Sequence, residues 1–150
     1  MTLFLGSLQL GLLYGIMVLG IYISFRILNI PDLTTEGSFT FGLVISALYA
    51  SSGHPFLGLL FAIIAGAAAG IVTGFLQTKC KIHPVVAGIL TMSGLYSINL
   101  YVMGGSSNLT LLGSKTVFTI AGEMLPNLDK DIIKILVALI AVLITVVLLV

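Results

Sequence analysis

The chain has 150 residues, of which 59% are hydrophobic and only 7% charged, and its formal net charge is +1. A soluble domain carries about 25% charged residues, so this composition excludes a water-covered globular protein and predicts an integral membrane protein with room for about five spans of roughly 20 residues each. The near-neutral charge singles out no partner beyond the lipid bilayer, and no nucleic acid is expected.

Span 1 is predicted from about Leu3 to Leu28. It is too long and too uniformly apolar for a signal peptide, and no basic stretch precedes it. Gly11, Gly15 and Gly20 give it small residues that let helix backbones approach in lipid. Pro31 ends it, because the residue before a proline avoids the helical region. A polar island follows, Asn29-Ile30-Pro31-Asp32-Leu33-Thr34-Thr35-Glu36-Gly37-Ser38, between two runs free of charge, Met1–Phe25 and Gly37–Gly53. A charge at mid-bilayer costs roughly 2.5–3.5 kcal/mol on insertion scales. Arg26, Asp32 and Glu36 therefore lie either at the water interface or against a protein-lined cavity.

Span 2 is predicted from about Leu33 to Ser51, with Asp32 as its N-cap and Glu36 in or near the first turn, where the helix dipole favours negative charge. His54-Pro55 opens span 3, which runs to about Thr78. Its small residues recur every four positions, at Gly58, Ala62, Gly66, Gly70 and Gly74, with Ala65 and Ala69 widening the face. That stripe is the candidate helix-packing ridge. After a basic turn at Lys79-Cys80-Lys81, His83-Pro84 opens span 4, to about Val102, whose polar residues Thr91, Ser93, Ser97 and Asn99 suit helix packing or a path. The connection from Gly104 to Asn127 contains Thr116-Val117-Phe118-Thr119-Ile120, alternating weakly like a strand. Span 5 begins near Asp129 to Asp131. The apolar run is still open at Val150, so the chain is expected to be a fragment of a longer membrane subunit. The fold class expected is all-α, a polytopic transmembrane helix bundle forming the N-terminal half of a larger permease fold, with residues 1–150 in one membrane domain.

Arg26, Lys79 and Lys81 follow odd-numbered spans and share a side. If that side is cytoplasmic, the N-terminus and the Gly104–Asn127 loop are extracytoplasmic. Lys115, Lys130 and Lys134 on the other side weaken the bias.

Chemistry-bearing motifs are few. Gly113-Ser114-Lys115-Thr116 fails as a phosphate loop, because Ser114 and Leu109 stand where glycines are required. Asn108-Leu109-Thr110 matches a glycosylation sequon only in form. His54 and His83 have no carboxylate or cysteine at metal-ligand spacing, and Ser93 has no base and orienter beside it. The one cysteine, Cys80, excludes an intramolecular disulfide. No enzyme, metal site or bound cofactor is expected. Function is sought in the island, where a helix start at membrane depth offers N–H groups to a solute. Asp32, Thr34, Thr35, Glu36 and Ser38 are the candidate path residues; the bland alternative is an interfacial turn in which Arg26 satisfies a carboxylate.

Arg26 to Phe39 resembles the signature of bacterial ABC-importer permeases of the branched-chain amino acid and ribose class. Asp32, Leu33, Gly37 and Ser38 fit the sugar members' Gly-Ile-Asp-Leu-Ser-Val-Gly-Ser pattern with one residue inserted. The Pro31-Asp32-Leu33-Thr34 form is similar to a branch thought to import amino acids, including aromatic ones. A second match runs from Gly70 to Asn108: a small-residue helix, a basic turn, a new span, then Gly104-Gly105-Ser106-Ser107-Asn108. Together the matches cover most of residues 8–110. The resemblance implies an inner-membrane importer subunit that pairs with a second permease copy and hydrolyses nothing itself. Cytoplasmic ATPase subunits would bind the ATP, and an extracytoplasmic solute-binding protein would deliver the solute. Family members are about twice as long, and the loop that grips the ATPase lies in their second half. An ion-coupled secondary carrier using Asp32 or Glu36, and a non-transporting membrane scaffold, are the alternatives.

Overall fold

The computed structural model describes residues 2–27, 29–30, 32–106, 108–111, 113–114, 116–124 and 129–149, and every regular element among them is helical. The predicted helix breaker Pro31, and Leu28, Ser107, Lys115, Asn127 and Val150, lie outside the described residues. The helices are α1 (Thr2–Tyr22), which runs on into a π-helical turn at Ile23–Ile27, then α2 (Thr34–Ser51), α3 (Pro55–Thr78), α4 (Pro84–Val102), α5 (Val117–Met124) and α6 (Lys130–Leu149). Among the described residues four segments are long and apolar enough to cross a membrane: Leu3–Arg26, Pro55–Thr78, Pro84–Val102 and Asp131–Leu148. The predicted second span exists as α2 but is not one of these four, because Thr34, Thr35, Glu36, Ser38 and Thr40 load its first two turns with polar groups.

Internal contacts group the chain into two compact units, Ile21–Lys115, and Met1–Gly20 with Thr116–Val150. In the second of these, α5 packs against α6. The alternation at Thr116–Ile120 does not make a strand; those residues open α5 instead. A reciprocal cap decides it. The Thr116 N–H donates to Thr119 Oγ1 at 2.7 Å, and the Thr119 N–H donates to Thr116 Oγ1 at 3.3 Å. Two of the donors that a helix start leaves unpaired are thereby satisfied, and a lone strand offers its backbone no such partners. Among the described residues of α6, Ile133 and Ala138 are buried.

Residues 21–115 form a three-helix arrangement in which α2 touches both α3 and α4, and α3 touches α4. The turns are short, so neighbours run antiparallel and α2 and α4 run parallel. Both turns are written in local chemistry. Gly53 holds φ at +84°, which lets the His54 N–H reach back to Tyr49 O at 3.0 Å while its own N–H bonds Ala50 O at 3.1 Å. Gly104 and Gly105 close α4 in the same manner, on Tyr101 O and Leu100 O. Pro55 and Pro84 occupy the first helical positions of α3 and α4, where a missing N–H removes no intrahelical bond.

The helices meet backbone to backbone at glycines. A Cβ at Gly58 would lie 2.9 Å from Ser46 O and 3.0 Å from Tyr49 Cβ, and one at Gly42 would lie 3.5 Å from Ala62 O. Tyr49 then stacks on Phe61, ring centroids 4.8 Å apart. On the α4 side, a Cβ at Gly37 would lie 3.3 Å from Met92 Cα, and one at Gly88 would lie 3.0 Å from the Leu33 nitrogen. The start of α2 is therefore clamped onto α4, and its second half onto α3.

Candidate functional site

The island is held from both ends. Ahead of it, the Ser24 hydroxyl donates to Ile30 O at 2.7 Å and the Ile30 N–H donates to Ser24 O at 3.1 Å, a reciprocal clasp that closes the bend after the π-helical turn. Asn29 sits in the left-handed region, φ +53°, a conformation that asparagine tolerates better than most residues. Behind it, Leu33 occupies the cap position of α2, one residue later than predicted, and Asp32 reaches over it. Asp32 Oδ1 accepts the Thr34 N–H at 2.8 Å, so the aspartate satisfies a donor of the first turn from outside the helix.

The five candidate path residues have different environments. Thr34 and Thr73 are each 2% exposed, with their hydroxyl oxygens 3.0 Å apart. Thr73 donates its only proton to Ala69 O at 3.1 Å, so Thr34 is the donor to Thr73. Thr35 Oγ1 points back to Asp32 O at 3.5 Å, and Ser38 Oγ donates to Thr35 O at 3.0 Å. The hydroxyls of Thr34, Thr35 and Ser38 are thus engaged within the chain. Asp32 commits one carboxylate oxygen and is half-buried, whereas Glu36 is exposed. Arg26 is exposed and pairs with neither acid; the one ion pair among the described residues is Lys134 with Asp131, 3.3 Å apart in α6. What the island presents outward is therefore carboxylate, above all Glu36.

Thr73 is the residue that the sequence did not point to. A polar residue on a glycine-rich span has many readings, and only the fold brings α3 to the start of α2. Thr73→Val is expected to cost about 1 kcal/mol, since it leaves the buried Thr34 hydroxyl without its acceptor. Thr34→Val added on top should cost little more, because the pair is already broken. Melting curves of both single variants and the double variant, in detergent, check this. Strict additivity would mean that the two hydroxyls do not interact.

The candidate packing ridge divides along its length. Gly58 and Ala62 lie against α2, as described above. For Gly66, Gly70 and Gly74, no atom among the described residues comes within 4 Å of where a Cβ would stand. The buried set on α3 is Pro55, Gly58, Ala65, Ala69 and Thr73. Beside it, Phe41, Ala69, Val72, Leu76, Leu90 and Leu95 help line an apolar cavity of about 320 Å³. On α4 the buried Asn99 carries a side-chain oxygen with no hydrogen-bond partner among the described residues.

The profile of the permease component of the branched-chain amino acid transport system matches residues 3–150. The chain belongs to that family. A tyrosine transport system permease protein of Clostridioides difficile (strain R20291) is 44% identical over 117 residues, which is 77% of this chain and 39% of the relative. An uncharacterized protein of Rickettsia prowazekii (strain Madrid E), RP368, is 38% identical over 120 residues, 80% of this chain and 42% of the relative. The matched part of this permease thus spans about two-fifths of the length of these curated relatives. No solved structure matches it. As a permease of this family it is a multi-pass membrane protein, and the apolar helices Leu3–Arg26, Pro55–Thr78, Pro84–Val102 and Asp131–Leu148 are its candidate spans.

Proposed function

We propose that this chain is the N-terminal part, in one membrane domain, of an ABC-importer permease that moves an amino acid, an aromatic one in the first instance, across the bacterial inner membrane. The observation that carries the reading is the family match over residues 3–150; the tyrosine permease among the relatives supports the choice of solute. Separate cytoplasmic ATPase subunits bind and hydrolyse ATP, so the permease needs no cofactor and catalyses no reaction. A second permease copy completes the membrane unit, and an extracytoplasmic binding protein delivers the solute. The N-terminus lies outside, with Arg26, Lys79 and Lys81 at the cytoplasmic face. Asp32 and Glu36 face the ammonium group of the solute, while Thr34, Thr35 and Ser38 hold the helix start in shape. Gly66, Gly70 and Gly74 pack against the remainder of the permease.

Affinity purification of the full-length permease from membranes, followed by mass spectrometry, tests the reading. Recovery of an ATPase subunit and a solute-binding protein is the expected result. If neither is recovered, and uptake collapses with the proton gradient rather than with ATP depletion, the chain is an ion-coupled carrier, a role for which the exposed Glu36 carboxylate is suited.

A further inference from the structure

Helix α4 is the least apolar of the four candidate spans. Its 19 residues, Pro84–Val102, cover about 28 Å at 1.5 Å per residue, close to the thickness of a bilayer's hydrocarbon core. Ser93 is its middle residue. The face packed inside the chain carries Ala87, Gly88, Thr91, Leu95 and Asn99. Ser93, Tyr96 and Ser97, at steps of three and four, form a stripe on the opposite side, and all three are exposed, Tyr96 by 66%. The Ser97 hydroxyl bonds back to Ser93 O at 3.2 Å; those of Ser93 and Tyr96 have no hydrogen bond among the described residues. Tyr96 lies only about 4.5 Å along the axis from the middle, and helical side chains lean toward the N-terminus, so its hydroxyl comes nearer still to mid-membrane.

That placement is wrong for lipid. Tyrosine in membrane proteins collects at the two interfaces, where its hydroxyl stays wet, and an unbonded hydroxyl in hydrocarbon is penalised. Helix α3 shows what a lipid-compatible face looks like: Ile64 and Ile71 are exposed and offer only carbon. A tight helix contact uses small residues four apart; Ser93 and Ser97 have that spacing, but the Tyr96 ring beside them obstructs the close backbone approach made at Gly58 and Gly88.

We infer that Ser93, Tyr96 and Ser97 of α4 form a wall of the aqueous path that the solute follows through the membrane. This rests on the permease reading above and extends it from the island to mid-membrane. The wall has hydroxyl groups and no charge, as no Asp, Glu, Lys or Arg occurs from Pro84 to Val102. Such a surface hydrogen-bonds both an ammonium and a carboxylate without trapping either, which suits a zwitterionic amino acid.

Cysteine accessibility tests it in the full-length permease with its partner subunits. Cys80→Ser, with any other cysteine replaced, gives the parent. Ser93→Cys, Tyr96→Cys and Ser97→Cys are then compared with Ile64→Cys and Ile71→Cys, using a charged, membrane-impermeant methanethiosulfonate reagent. The α4 positions should react at least about tenfold faster than the α3 positions, since the charged reagent is excluded from hydrocarbon, and modification at 93 or 97 should block uptake of radiolabelled tyrosine. Equal, slow reaction at all five positions would overturn the inference and place lipid or another helix on the stripe. Fast reaction with undiminished uptake would overturn it too, because the stripe would then be wet but off the path. Uptake by the cysteine-free parent is read separately. Its failure to require ATP would sink the importer reading, while the labelling would still decide whether the stripe faces water.

Discussion

Gly58→Leu is expected to unfold the contact between α2 and α3, and Gly70→Leu to leave that contact intact. At position 58 even a methyl group meets the Ser46 carbonyl oxygen at 2.9 Å and Tyr49 Cβ at 3.0 Å. The first of these is main chain and cannot swing aside. Overpacking of this kind costs typically 1–3 kcal/mol and sometimes more, and here it also displaces the Tyr49–Phe61 stack. At position 70 the same substitution meets no atom within 4 Å among the described residues. Any damage it does must therefore come from a helix outside the α2–α4 group or from a second copy of the permease. Thermal stability and size-exclusion profiles of the full-length protein in detergent separate the two. Gly58→Leu should lower the melting temperature or abolish folded protein. Gly70→Leu should fold and then fail to assemble. Normal assembly of Gly70→Leu would remove the Gly66–Gly74 stripe from the packing surfaces of the permease.

Asp32→Ala is expected to reduce uptake several-fold while leaving expression intact. The substitution removes both a hydrogen-bond acceptor for the Thr34 N–H and a negative charge within the island. Losing an aspartate cap costs about 0.5–2 kcal/mol, which a well-packed helix tolerates. Asp32→Asn tells the two contributions apart, because the amide oxygen can still accept from Thr34 but the charge is gone. Uptake restored by asparagine would make Asp32 a shaping residue only. Uptake still lost with asparagine would place its charge in solute recognition. Unchanged uptake in Asp32→Ala would reduce the island to a turn.

The legible parts of the fold were those fixed by local chemistry. His54-Pro55 and His83-Pro84 open α3 and α4 where expected, and glycine pairs the end of α2 and α4 with the turns that follow. The cap of α2 was one residue off because Asp32 and Leu33 can each stand at the boundary, and only the reach of the Asp32 side chain to Thr34 shows which does. The strand-like alternation at Thr116–Ile120 misled because two-residue periodicity in five residues is weaker than a reciprocal threonine cap.

The glycine stripe on α3 shows a subtler limit. A strict four-residue repeat advances about 40° around the helix at each step, since 3.6 residues complete a turn. By Gly74 the stripe has turned about 160° from Gly58. The buried residues Gly58, Ala65, Ala69 and Thr73 drift much less, because the seven-residue step from Gly58 to Ala65 nearly completes two turns. Which of the two lines is packed depends on a neighbour that periodicity does not contain. For the same reason Thr73 as the partner of Thr34, and the outward set of the α4 serines, emerge only from the assembled helices.

The glycine contacts of α2 have a mechanical corollary. At Gly58 and Gly88 main chain bears directly on neighbouring main chain or Cβ, with no long side chain between to rotate and absorb a displacement. Any tilt imposed on one of α2, α3 or α4 during a transport cycle is transmitted whole to the other two, so the trio swings as a single lever. The give must then be found in the stretches that join it to the rest of the protein. On the N-terminal side that stretch is the π-helical turn at Ile23–Ile27 with its Ser24–Ile30 clasp, which two hydrogen bonds hold shut.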